Sequence, residues 1–334
     1  ASEIIMSPSV QILGQMGDQS YSVTAEVSGS QKNFEAAYRV VTADVQEGIT
    51  RIIVEYRDLA SNQGAAVHAV TDASTVTIDL TPPTLPTVII SSDNSADTSM
   101  TNEGDRIMLT ITADEPIIAP SVEIAGQTAV VIGSGSSWSA AYLVDAAVVS
   151  EGAASVQIVF EDLASNDGET RLAVTDTSVV TIDLTAPETT TVSISSNNAE
   201  DTTRANAQDV IRVEFETNEN IVTPAVTIAG QAAVVTGSGT SWAAEYVVVG
   251  HQVTEGITSI LIEYADIASN VGADTDATSD ASAITIDLTA PTLTGISIVS
   301  SNAADTARAN AGDTITLTLE ASEIIVAPSM SIAG

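Results

Sequence analysis

Thr181-Ile182-Asp183-Leu184-Thr185 decides how the chain is read, because the same five residues stand at Thr77 to Thr81 and again at Thr285 to Thr289. The step is 104 residues (181 minus 77, and 285 minus 181). Working outward, Asp58-Leu59-Ala60-Ser61-Asn62 returns at Asp162 to Asn166 and, with Ile267 for leucine, at Asp266 to Asn270. Trp138 and Trp242, Tyr142 and Tyr246, Pro120, Pro224 and Pro328, and Glu115, Glu219 and Glu323 keep the same register. A period this long is domain-sized, so each unit can enclose a core of its own, unlike the short repeats of a solenoid.

The register divides the chain into four stretches. Residues 1–80 form a partial repeat without its first two strands, 81–184 and 185–288 are whole, and 289–334 is a partial repeat holding the first three strands. Ala1-Ser2-Glu3-Ile4-Ile5 matches Ala321-Ser322-Glu323-Ile324-Ile325, so the two termini fall at nearly equivalent points of two repeats. The first repeat is longer between Pro8 and Tyr38 (30 steps) than the second between Pro120 and Tyr142 (22 steps), which places an eight-residue insertion around Gly17 to Gln31.

Composition bounds the class. Hydrophobic residues make up 44% of the chain, enough to fill cores, while aromatics are only 3% and cysteine is absent. Gly, Ser, Thr, Val, Ile and Ala dominate, the palette of short strands and tight turns. Nine basic against 44 acidic residues give a formal charge of −35, so the surface repels nucleic-acid phosphates and anionic membranes, and cations or basic surfaces are the expected partners. Without cysteine no disulfide framework is possible, and cores or metal ions must hold the repeats. The most apolar stretch, Ala140 to Val149, is broken by Asp145, so no segment spans a membrane as a helix.

Strand periodicity is clearest at Ile211, Val213 and Phe215, which alternate with Arg212, Glu214 and Glu216; Ile315, Leu317 and Leu319 repeat it. Trp138, Ala140, Tyr142 and Val144 form another such set, as do Val156, Ile158 and Phe160, and Val180, Ile182 and Leu184. In the second repeat strands are predicted near 87–91, 106–113, 120–125, 128–132, 137–145, 155–161 and 177–183, separated by turn residues such as Ala125-Gly126-Gln127 and Ser150-Glu151-Gly152. The fold class is all-β: tandem Ig-like β-sandwich domains, seven antiparallel strands each. A jelly roll or barrel shares this periodicity. Trp138 and Trp242 are read as core residues, with sugar stacking as the alternative.

The succession Asp-Leu-Thr-Ala-Pro (183–187), Ser-Ser-Asn (195–197), Ile-Ala-Gly (228–230), Ser-Trp (241–242), Tyr246, Glu-Gly (255–256) and Asp-Ile-Ala-Ser-Asn (266–270) resembles the tandem bacterial Ig-like repeats of giant extracellular adhesins and surface fibres. The resemblance covers the whole chain. It implies an extender role at the cell surface, often rigidified by calcium.

An alternating up-and-down strand order gathers acids where repeats meet. Between the second and third repeats it assigns Asp93, Asp97 and Asp183 to one pole and Glu219, Asp266 and Asn270 to the other; the register extends the set to Asp79, Glu115, Asp162, Asn166, Asp201, Asp287 and Glu323. Ca2+ takes six to eight hard oxygen ligands, which such a set supplies. The plain alternative is a solvated anionic surface that keeps neighbouring repeats apart. Asp58, Asp162 and Asp266 have a further alternative as caps of their own turns. No EF-hand loop and no glycine-rich nonapeptide calcium repeat occurs. Pro82, Pro187 and Pro291 restrict the backbone beside each linker aspartate.

No enzyme is expected. His68 and His251 stand at non-equivalent positions, occupied elsewhere by Leu172 and Asp276 or by Ala43 and Ala147, and no nucleophile elbow, P-loop or zinc pattern appears. The sequence therefore points to a non-catalytic extracellular spacer, with neighbouring repeats as its partners. Two rivals stand beside it: a filament subunit built by head-to-tail strand complementation, and a glycan- or protein-binding module using the first repeat's insertion.

Overall fold

The computed structural model describes residues 3–16, 19–43 and 45–332. Every regular element among them is a strand, and no helix is long and apolar enough to cross a membrane. By compactness the chain divides into two units, Ala1–Thr185 with Ile267–Asn270, and Ala186–Asp266 with Val271–Gly334.

Within 81–184 one sheet runs in the order Val130–Ser134, Ser137–Leu143, Arg106–Thr112, Thr87–Ser92, antiparallel throughout. The other runs Gln127–Thr128, Ser121–Ile124, Val156–Val159, and Arg171 bridges Ile158 on its far side. In chain order the first, second, fifth and fourth strands share one sheet, and the third and sixth lie in the other, whose far edge carries the Ile158–Arg171 bridge. That is the constant-type immunoglobulin arrangement. Residues 185–288 repeat it, with Val234–Ser238, Ser241–Val247, Val210–Thr217 and Thr189–Ser196 in one sheet and Ala225–Ile228 beside Ile260–Glu263 in the other.

Alternation along these strands builds the cores. Ile107, Leu109 and Ile111 are buried from one sheet and Ile124 and Ile158 from the other. Ile211, Val213 and Phe215 meet Ile228 and Ile262 in the third repeat in the same way. Each such side chain contributes about 1.5–3 kcal/mol by leaving water. Trp242 is buried and Trp138 packs half-buried on its core, each donating its indole N–H to a hairpin carbonyl, Gly239 O and Gly135 O, at 3.0 Å. The aromatics fill cores, as expected.

The strand pattern is finer than seven runs. The predicted seventh strand, 177–183, shrinks to Thr181–Ile182, because Asp176 folds over the Ser178 amide and hydroxyl (3.0 and 2.6 Å) and interrupts the ladder. What remains pairs antiparallel with Gly152–Ala153 and parallel with Met100–Thr101, a parallel contact that the sequence reading did not contain.

The first repeat's extra length is taken up by two strands, the second of them within the expected span. Its third strand, Ser9–Met16, has 8 residues where Ser121–Ile124 has 4, and its hairpin partner, Gln19–Thr24, has 6 where Gln127–Thr128 has 2. These differences account for all eight extra residues, so the insertion lengthens a hairpin and makes no loop; Gly17 and Asp18 lie outside the described residues.

Because each complete repeat has its own core and its own tryptophan, damage should stay local. Ile158→Ala should lower the stability of the second repeat by about 3 kcal/mol, read by Trp138 fluorescence in a Trp242→Phe background. The Trp242 transition, read in a Trp138→Phe background, should not move; a shared shift would contradict separate cores.

Candidate metal centre at the repeat linker

The linker after the first repeat is held from both ends. Upstream, Glu47 accepts the Leu80 N–H at 2.8 Å and the Thr81 hydroxyl at 2.6 Å. Downstream, Asp114 accepts the Thr84 N–H at 2.8 Å and the Thr84 hydroxyl at 2.6 Å. Between them stand Pro82 and Pro83, which have no N–H to satisfy and a fixed φ. Two hydrogen-bonded anchors around two prolines leave the backbone little freedom.

The upstream anchor recurs. Glu151 holds Leu184 N and the Thr185 hydroxyl (3.0 and 2.6 Å), and Glu255 holds Leu288 N and the Thr289 hydroxyl (2.7 and 2.8 Å). Downstream, Asn218 receives Glu188 N at 2.8 Å and the Ser322 hydroxyl receives Thr292 N at 2.9 Å. These glutamates were missed in the sequence, where Glu-Gly was read as turn chemistry alone; their signal was the 104-residue register of Glu47, Glu151 and Glu255.

Fixing Leu80 fixes Asp79 before it. Asp79, Glu115 and Asp162 each place a carboxylate oxygen within 4.8 Å of the other two. Asp79 ends the first repeat, Glu115 follows the second strand of the second repeat, and Asp162 opens the turn after its sixth. Asp162 is 1% exposed, whereas the other two are half-buried. Its turn is tight: Ala164 N and Asn166 N donate to Asp162 Oδ1 at 2.7 and 2.9 Å, and Ser165 adopts φ 67, a left-handed conformation costly for a residue with a Cβ. The cap reading and the cluster therefore coexist in one residue.

Asn166 is brought to the cluster as a brace. Its Nδ2 donates to Asp162 Oδ2 at 2.7 Å and to the Asp79 carbonyl at 3.2 Å, so its amide presents a donor to the acids where a metal ligand would present its oxygen.

Several of the other expected ligands are held in local structure. Asp93 receives Arg106 N at 2.6 Å with the guanidinium 3.7 Å away, and Asp97 caps Ser99 N and its hydroxyl at 2.8 and 2.7 Å, so neither joins the three acids. Their loop nonetheless stands at the pole that strand direction assigned, since Asn94 Nδ2 donates to the Ala268 carbonyl at 2.7 Å. Asp201 caps Thr203 and lies 3.5 Å from Arg204. Asp287 receives Thr289 N at 3.2 Å and lies 3.6 Å from the same arginine, and Glu323 is exposed. Asp183 is half-buried, its carboxylate receiving Thr185 N at 3.2 Å and its carbonyl receiving Asn270 Nδ2 at 3.0 Å. Asp266 is buried and its backbone bridges Ile221; half-buried Glu219 accepts the Thr217 hydroxyl on its carbonyl at 2.7 Å.

The cluster's electrostatics oppose one another. Burial pushes the Glu115 carboxyl above its ordinary range, and the charges of Asp79 and Asp162 add to the push. Burial pushes Asp162 the same way, but hydrogen bonds from Asn166, Ala164 and Ser165 outweigh it and hold Asp162 below its ordinary range. Each charged pair at such separation repels by about 3 kcal/mol at an effective dielectric near 20, less for the two half-exposed members. Three hard oxygens with one carboxylate fixed as an anion are the donor type that Ca2+ prefers, and an ion there would need its remaining ligands from carbonyls and water.

No family model and no curated protein matches the chain. Among solved structures it is similar to a 1.5-MDa bacterial ice-binding adhesin described for host cell surface retention, at 17% identity over 86% of this chain and 88% of that one, TM-score 0.39. It is also similar to fibronectin(III)-like modules of Clostridium thermocellum CbhA (12% identity, 60% of this chain, 94% of that one, TM-score 0.30) and to the D00-D0 domain of intimin (13%, 56%, 98%, 0.23). Likeness at this level assigns neither ligand nor partner.

The two shifts have opposite signs in stability. Glu115 binds its proton more tightly folded than unfolded, so it costs stability as pH rises through and above the ordinary glutamate range; Asp162 contributes stability that is lost as pH falls through its lowered folded value. Urea unfolding against pH, in chelator, should show a decline on the first limb that Glu115→Gln removes, and an unchanged decline in that variant would contradict it. Asp162→Ala, which strands the Ala164 and Asn166 amides, should cost about 2 kcal/mol at neutral pH.

Proposed function

We propose that the chain is a non-catalytic extracellular spacer of a bacterial surface protein, and that calcium bound over the linker stiffens it. The observation that carries this reading is the linker itself, anchored by Glu47 and Asp114 and overlaid by Asp79, Glu115 and Asp162. Asp79 and the other two acids belong to consecutive repeats, so an ion shared by them would join the repeats. Bound there, calcium would neutralise the cluster's repulsion; the chain's part is to hold the three oxygens in place. The register repeats these residue types as Asp183, Glu219 and Asp266. Similarity to domains of a bacterial ice-binding adhesin supports a surface location, and a formal charge of −35 supports cationic partners over nucleic acid.

Calcium at about 2 mM, well above the dissociation constants of weak extracellular sites, should raise the thermal midpoint of the second repeat by roughly 5–10 °C over chelator. Glu115→Gln with Asp79→Asn should abolish most of that rise while keeping the fold in chelator. Superimposable melting curves with and without calcium would sink the proposal and leave the acids as solvated surface charge.

A further inference from the structure

Asn94 is a buried polar side chain whose role the acids do not explain. It is 3% exposed, in the loop between the first two strands of the second repeat, and all its hydrogen-bonding positions are filled. Its Oδ1 accepts the Ala96 and Asp97 amides at 2.9 and 3.1 Å, which folds the loop. Its Nδ2 gives one hydrogen to Asp105 Oδ2 at 2.8 Å and the other to the Ala268 carbonyl at 2.7 Å. The last contact reaches 174 positions along the chain, to a residue that belongs in sequence to the third repeat.

The loop shapes itself. The same asparagine stands at 198 and 302. Asn198 accepts the Glu200 and Asp201 amides at 3.1 Å each and donates to Asp209 Oδ2 at 2.9 Å, and Asn302 accepts the Ala304 amide at 3.0 Å. The bond to Ala268 is therefore laid on a loop that its own contacts already fold.

What the loop receives is equally particular. Ala268 is 0% exposed, and Ser269 after it adopts φ 73, so the chain turns sharply there. The Ser269 hydroxyl lies 3.4 Å from Asn94 Oδ1. Next along, Asn270 Nδ2 donates to the Asp183 carbonyl at 3.0 Å. Asp183 N donates to Thr101 O at 2.9 Å and Met100 N to Asp97 O at 3.0 Å, so both points of attachment belong to one pole of the second repeat. By compactness Ile267–Asn270 falls with the second repeat. Both attachments run from a side-chain amide to a backbone carbonyl, uncharged groups that do not titrate, so neither requires a cation.

We propose that the Asn94 loop is a docking seat for the Ala268-Ser269 turn of the following repeat, latching consecutive repeats together without metal. The partner it fits is a repeat with alanine and serine at the crown of its Asp-x-Ala-Ser-Asn turn: a longer side chain in place of the buried alanine would have to displace the seat. The latch limits how far the following repeat can swing and acts beside whatever an ion adds.

Because the chain has no cysteine, Ser137→Cys and Ser241→Cys place spin labels at exposed positions one repeat apart. In chelator, pulsed dipolar spectroscopy should give a distance distribution that Asn94→Asp broadens roughly twofold or more, since it keeps the shape and the Oδ1 acceptor but sets an oxygen against the Asp105 carboxylate and the Ala268 carbonyl. Ala268→Leu should broaden it similarly from the other side while leaving the loop's own bonds intact. Asn198→Asp makes the same change in the third repeat's loop and should leave the distribution as it is, with Trp138 and Trp242 emission unchanged in all three variants. Every comparison is made in chelator, so the result stands apart from whether calcium binds. A parent distribution already as broad as that of Asn94→Asp, indifference to both Asn94→Asp and Ala268→Leu, or equal broadening by Asn198→Asp would overturn the proposal.

Discussion

Glu47 holding the Leu80 amide and the Thr81 hydroxyl is the contact on which the linker depends. A linker residue with an unsatisfied N–H would turn to water and swivel; here the amides are taken by carboxylates or replaced by proline. Beside the anchor, the Asp79 carboxylate accepts the Thr81 N–H at 3.2 Å and lies within reach of Glu115 and Asp162. The anchor recurs at Glu151 and Glu255, one and two repeats along.

Sandwiches of about a hundred residues suit this purpose because their cores need only short alternating strands. Ile, Val and Leu fill them, and the few aromatics sit where a hairpin carbonyl can take the indole N–H. That leaves the poles free for acids. Their charges repel one another, and the differing fates of Glu115 and Asp162 follow from hydrogen bonding: Asp162 has amide donors on its carboxylate, whereas burial and neighbouring charge set Glu115.

The fold class and the inward-facing residues were legible in the sequence, because Ile211-Val213-Phe215 alternation and the 104-residue register are local and repeated signals. Three of the acids, Asp79, Glu115 and Asp162, were legible for the same reason. The local roles of Asp93 and Asp97, on Arg106 and Ser99, were not legible because strand direction places a loop at a pole without showing which groups its carboxylates hold. The bracing role of the Asn166 amide, which donates to Asp162 and to the Asp79 carbonyl, was not legible because spacing does not reveal which end of an amide faces a carboxylate. The parallel pairing of Thr181–Ile182 with Met100–Thr101 was invisible, since two-residue ladders leave no periodicity.

The linker is braced without metal, and the calcium proposed over it would make it rigid. Small-angle scattering of the 334-residue chain, at a concentration low enough to keep it monomeric, addresses this most directly when recorded with saturating calcium and then with chelator. The account predicts a larger radius of gyration and a narrower distance distribution with calcium, reversed on chelation. Identical scattering in both conditions would contradict it.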